Sequence, residues 1–203
     1  ELFGVLRGVI DQRRRMGQAS GQFMLLGLAS GVLLQQSSES LAGRVACLEL
    51  PPLQACEVFG ADAQVADLHA LWVRGGFPLS WLAATDADSM TWREVFISTY
   101  LEKDIPALGP RIPATTLRRL WTMLAHHQGE LLDQSKLAAA LAISGQTVSR
   151  YIDLLCDLML VRRLPAWHGN VGKRLIRSPK VYVRDSGLVH ALLGLSNLDA
   201  VLG

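Results

Sequence analysis

Apolar residues recur three and four positions apart at Leu2, Phe3, Leu6, Val9 and Ile10, and the segment turns basic at Arg13, Arg14 and Arg15 before a glycine. This spacing predicts an amphipathic opening helix. The pattern then changes. Gln22 to Leu28 and Val45 to Leu50 are short, dense apolar runs of the kind a strand buried on both faces requires, so residues 1–52 read as alternating helix and strand. From Gln54 to about His127 the helical period returns. Helices are expected at Ala63 to Val73, Ser89 to Lys103 and Ala114 to His127, punctuated by Gly75-Gly76-Phe77-Pro78 and Gly109-Pro110. The adjacent glycines permit a positive φ or a close backbone approach, and Pro78 fixes the exit of the bend.

The stretch from Leu131 to Gly203 predicts two short helices, two strands joined by a glycine-rich basic loop, and a closing helix. Ser135 to Leu155 has the spacing of a helix-turn-helix. Leu137, Ala138 and Leu141 line one inward face, Ile143 fills the turn, Ser144 is placed as an N-cap, and Val148, Ile152 and Leu155 line the second. Gln146, Thr147, Ser149 and Arg150 then point outward from the N-terminal half of the second helix, where a groove-reading helix presents its side chains. Ala142 stands where many such turns carry glycine, and Asp153 and Asp157 add negative charge to the outward face. Leu160 to Leu164 and Lys180 to Arg184 read as the hairpin of a winged helix. Between 162 and 184 the chain carries Arg162, Arg163, Lys173, Arg174, Arg177, Lys180 and Arg184 and no Asp or Glu. Such a stripe suits phosphate contacts, so Arg162, Arg163, Lys173 and Arg174 are candidate contacts to double-stranded DNA. The alternative is that the same hairpin docks onto an acidic protein partner.

Composition is that of an ordinary globular chain. Half of the 203 residues are hydrophobic, 19% are charged, and the net charge is +2, so the basic run is a local concentration. The longest apolar run, Phe23 to Leu34, is broken by glycines and falls short of the roughly 20 residues that cross a bilayer, so no membrane partner is expected. Cys47, Cys56 and Cys156 are scattered, which argues against a zinc site or disulfide framework and for reduced thiols in a cytoplasm. His126-His127 lacks ligands at metal spacing, and no metal site is expected in the chain. Asp185 reads as the N-cap of a helix from Ser186 to Leu193 ended by Gly194. No Ser/His/Asp or Cys/His spacing argues for nucleophilic catalysis. The chain opens at Glu1 inside an apolar pattern, and it reads as a fragment.

Several motifs together carry a family resemblance. These are Phe23-Met-Leu-Leu-Gly-Leu-Ala-Ser30, Ser38-Glu-Ser-Leu-Ala-Gly-Arg44, Arg74-Gly-Gly-Phe-Pro78, Tyr100-Leu-Glu-Lys-Asp104, the helix-turn-helix, Lys173-Arg-Leu, and Ser178 to Leu188. In them the chain resembles bacterial and archaeal AAA+-like P-loop ATPases that carry a C-terminal domain of unknown function with a nuclease-like accessory region. The resemblance implies a predominantly α chain: an α/β remnant of a P-loop core (1–52), a helical lid (53–128), a winged helix-turn-helix (129–185) and the start of an accessory domain (186–203). It implies ATP and magnesium as cofactors of the complete protein, self-association through the core, and hydrolysis coupled to DNA or partner binding. The phosphate-cradling GxxxxGK[ST] and the acidic magnesium motif occur nowhere in the chain, so catalytic competence is not expected of it alone. By resemblance Arg44 is a candidate arginine finger, with local pairing to Glu39 or Glu49 as its structural alternative. Leu26 and Leu28 stand where a hydroxyl sensor is usual, which leaves Ser30 as the sensor candidate. The alternative function is a non-catalytic winged-helix interaction or dimerisation module with a degenerate core.

Overall fold

The computed structural model describes residues 2–26, 41–60, 64–107, 112–167 and 178–203. It divides into two compact units, Glu1–Leu50 and Pro51–Gly203. In the first, the amphipathic pattern forms α1 (Leu2–Arg15), which buries Ile10. Leu41 is also buried, and Arg44 reaches back to α1, its Nε and Nη2 donating to the two carboxylate oxygens of Asp11 at 2.8 and 3.1 Å. The expected strands are not present among the described residues. Residues 21–26 and 45–50 have no regular secondary structure, and Leu26, Leu48 and Leu50 are 90%, 95% and 92% exposed. A dense apolar run becomes a buried strand only where neighbouring strands take up its backbone donors and acceptors, and among the described residues none does. The α/β reading of this region is corrected accordingly.

The second unit is mostly helical with one small sheet. Its helices are α2 (Ala55–Phe59), α3 (Val65–Arg74), α4 (Pro78–Trp81), α5 (Asp86–Thr99), α6 (Ile105–Ala107), α7 (Ala114–His126), α8 (Gln134–Leu141), α9 (Gly145–Asp157), α10 (Ser186–Leu193) and α11 (Leu198–Leu202). A π-helical turn, Tyr100–Asp104, joins α5 to α6 and turns Tyr100, Leu101 and Ile105 into the core. Two strands, β1 (Val161–Leu164) and β2 (Lys180–Val183), pair antiparallel with Val161 opposite Val183 and Arg163 opposite Val181. On its other side β2 bridges to Leu131 and takes hydrogen bonds with Gly129 and Glu130. Leu117, Leu120, Trp121 and Leu124 of α7 and Val148, Ile152 and Leu155 of α9 belong to one buried cluster, all at 1% exposure or less. Each such side chain contributes about 1.5–3 kcal/mol by leaving water, so this cluster holds the unit together. Among the described residues no helix is long and apolar enough to cross a membrane.

Local sequence explains how α8 meets α9. Asp133 caps α8 by accepting from Lys136 N, and Ser144 caps α9 by accepting from Thr147 N at 3.1 Å. Between them Ala142 adopts φ 54° and ψ 41°, the left-handed conformation that closes the turn. An L-residue there costs about 1–2 kcal/mol through its Cβ, and glycine escapes the penalty at some cost in unfolded-state entropy. Ala142→Gly is therefore expected to stabilise the unit by about 0.5–1 kcal/mol, read as a higher urea midpoint. A lower midpoint would contradict this account of the turn.

The Arg74-Gly75-Gly76-Phe77-Pro78 bend fits α3 against α10. Gly75 ends α3 at φ 76°, and a Cβ on Gly76 would overlap the Leu53 backbone. Asp185, 4% exposed, accepts from Leu188 N at 2.9 Å as the cap of α10 and from Gly76 N at 2.7 Å. Arg93 of α5 is fully buried beside it and donates through Nη1 to the carbonyls of Val73 and Gly187, both at 2.9 Å. Arg74 is held outside by Asp86 at 2.7 Å and by the Ala83 carbonyl at 2.8 Å.

Candidate functional site

The exposed surface with the most functional character lies on α9 and the β1–β2 hairpin. At the N-terminal end of α9, Gln146 and Arg150 are exposed, and Thr147 and Ser149 are half-buried. The Thr147 hydroxyl is engaged with the Ser144 hydroxyl at 2.8 Å, so it belongs to the cap. Gln146, Ser149 and Arg150 remain as outward side chains on one helical turn, presented by a helix whose far side is anchored through Val148 and Ile152.

The hairpin separates residues that the sequence presents side by side. Successive strand residues face opposite ways. Arg163 therefore shares the inward face with Val161, Val181 and Val183, where it is ion-paired with Asp153 of α9. Burial pulls the Arg163 guanidinium down, but the hydrogen bond to Asp153 together with the charges and hydrogen bonding of Asp153 and Cys156 outweighs it, and the group ends above its ordinary range. Arg162 shares the other face with Tyr182, directly opposite it in the ladder. The basic stripe expected of adjacent arginines is thus divided, and Arg163 neutralises Asp153, the acidic residue that detracts from α9. The expected contacts Lys173 and Arg174 lie outside the described residues, as does Ser30. Strand alternation was the available signal for the division, and Arg162-Arg163 as a pair already implied it.

The outer face of the hairpin borders an open cleft of about 620 Å³ with α3 and the Pro51–Ala55 segment as its other walls. Trp72, Tyr182, Arg162 and Asp185 line it. Catalytic chemistry finds little support in these surroundings. Burial pushes the Asp185 carboxyl up against the opposing pull of Gly76, Leu188 and Arg93, yet both of its oxygens are committed to backbone donors. Burial also pushes the Cys156 thiol up, away from the thiolate a nucleophile needs. Among the described residues no group of three or more His, Cys, Asp or Glu is placed to hold a metal ion. His127 closes α7 and pairs with Glu130 at 2.7 Å.

Arg44 lies in the first unit, where Asp11 takes its fork and the Ala42 carbonyl accepts from Nη1 at 3.0 Å. The sequence offers Glu39 or Glu49 as its local partner; the structure supplies Asp11, and Glu39 lies outside the described residues. The Arg44 hydrogen bond holds the Asp11 carboxyl below the usual carboxylate range.

Comparison with known proteins replaces the ATPase resemblance. The family model described as "Domain of unknown function (DUF8612)" matches residues 65–199. Two curated relatives, the "Uncharacterized protein Rv2008c" of Mycobacterium tuberculosis and the "Uncharacterized protein Mb2031c" of Mycobacterium bovis, are each 45% identical over 197 residues. The alignment covers 97% of this chain and 43% of each relative, so the chain spans less than half the length of these proteins. No solved structure matches. The matching family is thus one of unknown function and not a P-loop ATPase family, which overturns the AAA+-like assignment. The finger role of Arg44, the sensor role of Ser30 and the expectation of ATP and magnesium rested on that assignment and lose their ground with it.

Proposed function

The chain belongs to the family described as a domain of unknown function, DUF8612, and we propose that its 129–185 region is a winged helix that binds double-stranded DNA. The observation that carries the reading is the Ser144-capped α9, with Gln146, Ser149 and Arg150 outward on a packed two-helix unit followed by a two-stranded hairpin. In a winged helix of this order, α9 enters the major groove by its N-terminal end and the hairpin lies along the backbone. Charge supports it. Residues 134–184 hold nine Lys or Arg against two Asp, in a chain whose net charge is +2. One of the two Asp is neutralised by Arg163. Gln146 and Arg150 have the amide and guanidinium groups that read purine edges or hold phosphates, while further lysines and arginines of the region supply charge without choosing sequence.

Fluorescence anisotropy with a labelled random duplex tests the reading. Binding is expected to weaken steeply between low and physiological salt. Arg150→Ala should lower the affinity and reduce the slope of log K against log salt by about 1, as the loss of one phosphate contact does. Arg162→Ala should leave both unchanged, because that side chain is on the other face of the hairpin. No anisotropy change at low salt would rule out the DNA reading.

A further inference from the structure

We propose that the cleft between the outer face of the hairpin and α3 is a second site, a groove that docks an acidic segment of a partner protein carrying an apolar side chain next to a carboxylate. It goes beyond the DNA reading and uses a different surface. The cleft volume of about 620 Å³ is large enough for a few side chains. One wall is apolar, made by Leu68, Leu71 and Trp72 of α3, and Trp72 leaves 42% of its surface exposed although its ring meets His190 edge-on at 5.7 Å. The opposite wall is basic: Arg162 and Tyr182 face each other across the ladder, and Arg162 has no ion-pair or hydrogen-bond partner among the described residues.

The one carboxylate lining the cleft does not answer that charge. Asp185 spends its oxygens on Gly76 N and Leu188 N. Charge complementarity therefore calls for a carboxylate brought from outside, which an arginine fork receives in a bidentate manner. The apolar wall beside it selects a peptide over a DNA duplex, whose bases are stacked inside and present only sugar and phosphate to Leu68 and Trp72. The groove is also held in shape before any ligand arrives. Leu53 N donates to Gly76 O at 2.8 Å, Gly76 N to Asp185 at 2.7 Å, and Gln128 clamps Val183 through both of its backbone groups at 2.8 and 2.9 Å. A preformed groove loses little order on binding, which favours measurable affinity from a short segment.

The test uses the full chain and a short fluorescein-labelled peptide alternating leucine and glutamate. A saturable anisotropy rise is expected, weakened about tenfold or more by Arg162→Glu and likewise by Trp72→Ala. Circular dichroism of both variants checks folding, and Arg162→Glu, a change on an exposed strand position, is the variant on which the conclusion rests. Arg150→Ala should leave peptide binding intact, and Arg162→Glu should leave duplex binding intact, so loss of one activity does not implicate the other. The proposal is overturned if the peptide does not bind at millimolar concentration, or if Arg162→Glu binds it unchanged. It is equally overturned if a leucine–lysine peptide or polyglutamate binds as well, or if Arg162→Glu abolishes peptide and DNA binding together, which would mean one polyanion surface.

Discussion

Gly187→Ala is expected to destabilise the second unit by about 3 kcal/mol, at the upper end of overpacking costs because the obstacle is backbone. Gly187 is the second residue of α10 and is fully enclosed. A Cβ there would overlap the Arg74 carbonyl and press on Gly75 N, and neither can turn aside as a side chain would. Relief requires α10 to move off α3, which would also stretch the bonds from Arg93 to the Gly187 carbonyl and from Asp185 to Gly76. Against a total stability of about 5–15 kcal/mol that is a large loss. Urea unfolding followed by tryptophan emission measures it in the right place, because Trp72, Trp81, Trp92, Trp121 and Trp167 all belong to this unit. Gly145→Ala is the matched control. Nothing lies within 4 Å of the added methyl at the exposed start of α9, so it should be neutral or slightly stabilising. A Gly187→Ala protein within about 1 kcal/mol of the parent would show that α10 and α3 are less tightly apposed than the structure has them.

The crowding at Gly187 also marks where sequence reasoning reached its limit. Helices whose signals are local were legible. Ser144 and Asp185 cap the helices that follow them, Gly194 ends α10 in the left-handed region, and the apolar faces of α8 and α9 are the ones the spacing indicates. Helix α5 begins three residues earlier than its apolar pattern suggests because Thr85 caps it by accepting from Asp88 N, a signal that apolar spacing alone does not weigh. The π turn at Tyr100 answers to core packing and has no sequence signature of its own. Non-local facts were not legible. Arg93 reads as one more surface cation in an amphipathic helix, yet its partners are carbonyls 20 and 94 residues away. The first 50 residues failed for the complementary reason: their apolar runs satisfy a strand's side-chain pattern, but pairing partners decide whether a strand forms.

The candidate site was half legible on the same grounds. The outward turn of α9 follows from helical geometry once its inward face is known. The hairpin charges were summed along the chain, whereas a strand distributes them by parity, sending Arg163 to Asp153 and Arg162 to the cleft. A charge count therefore identifies a basic region without saying which face presents the charge. That difference is what makes Arg150 and Arg162 separable in experiment.

Arg93→Met should cost about 3–5 kcal/mol, the typical consequence of removing one member of a buried charged group and leaving its neighbours uncompensated. Methionine fills comparable space, so the loss isolates the guanidinium. Without it the Gly187 carbonyl loses the guanidinium donor, Val73 keeps the contact with the His190 ring at 3.2 Å, and Asp185 loses the nearby positive charge. The last effect gives the variant a pH signature. Burial already holds the folded Asp185 carboxyl above its ordinary value, and Arg93 opposes that rise. Removing Arg93 lifts the folded value further, while the unfolded one stays near about 3.9. A group whose folded pKa is raised contributes stability below the unfolded value and loses it as pH climbs through the folded one. The deficit of Arg93→Met relative to the parent should therefore be smaller near pH 4 than at pH 7, with the carboxylates remote from Arg93 cancelling in the difference and Asp86 and Glu94 acting in the same direction. Adding Asp185→Asn should flatten that pH dependence, and the double variant should lose less than the sum of the singles because the two sites are coupled. A deficit independent of pH would show that Arg93 acts through its carbonyl hydrogen bonds alone and that the charge on Asp185 does not depend on it.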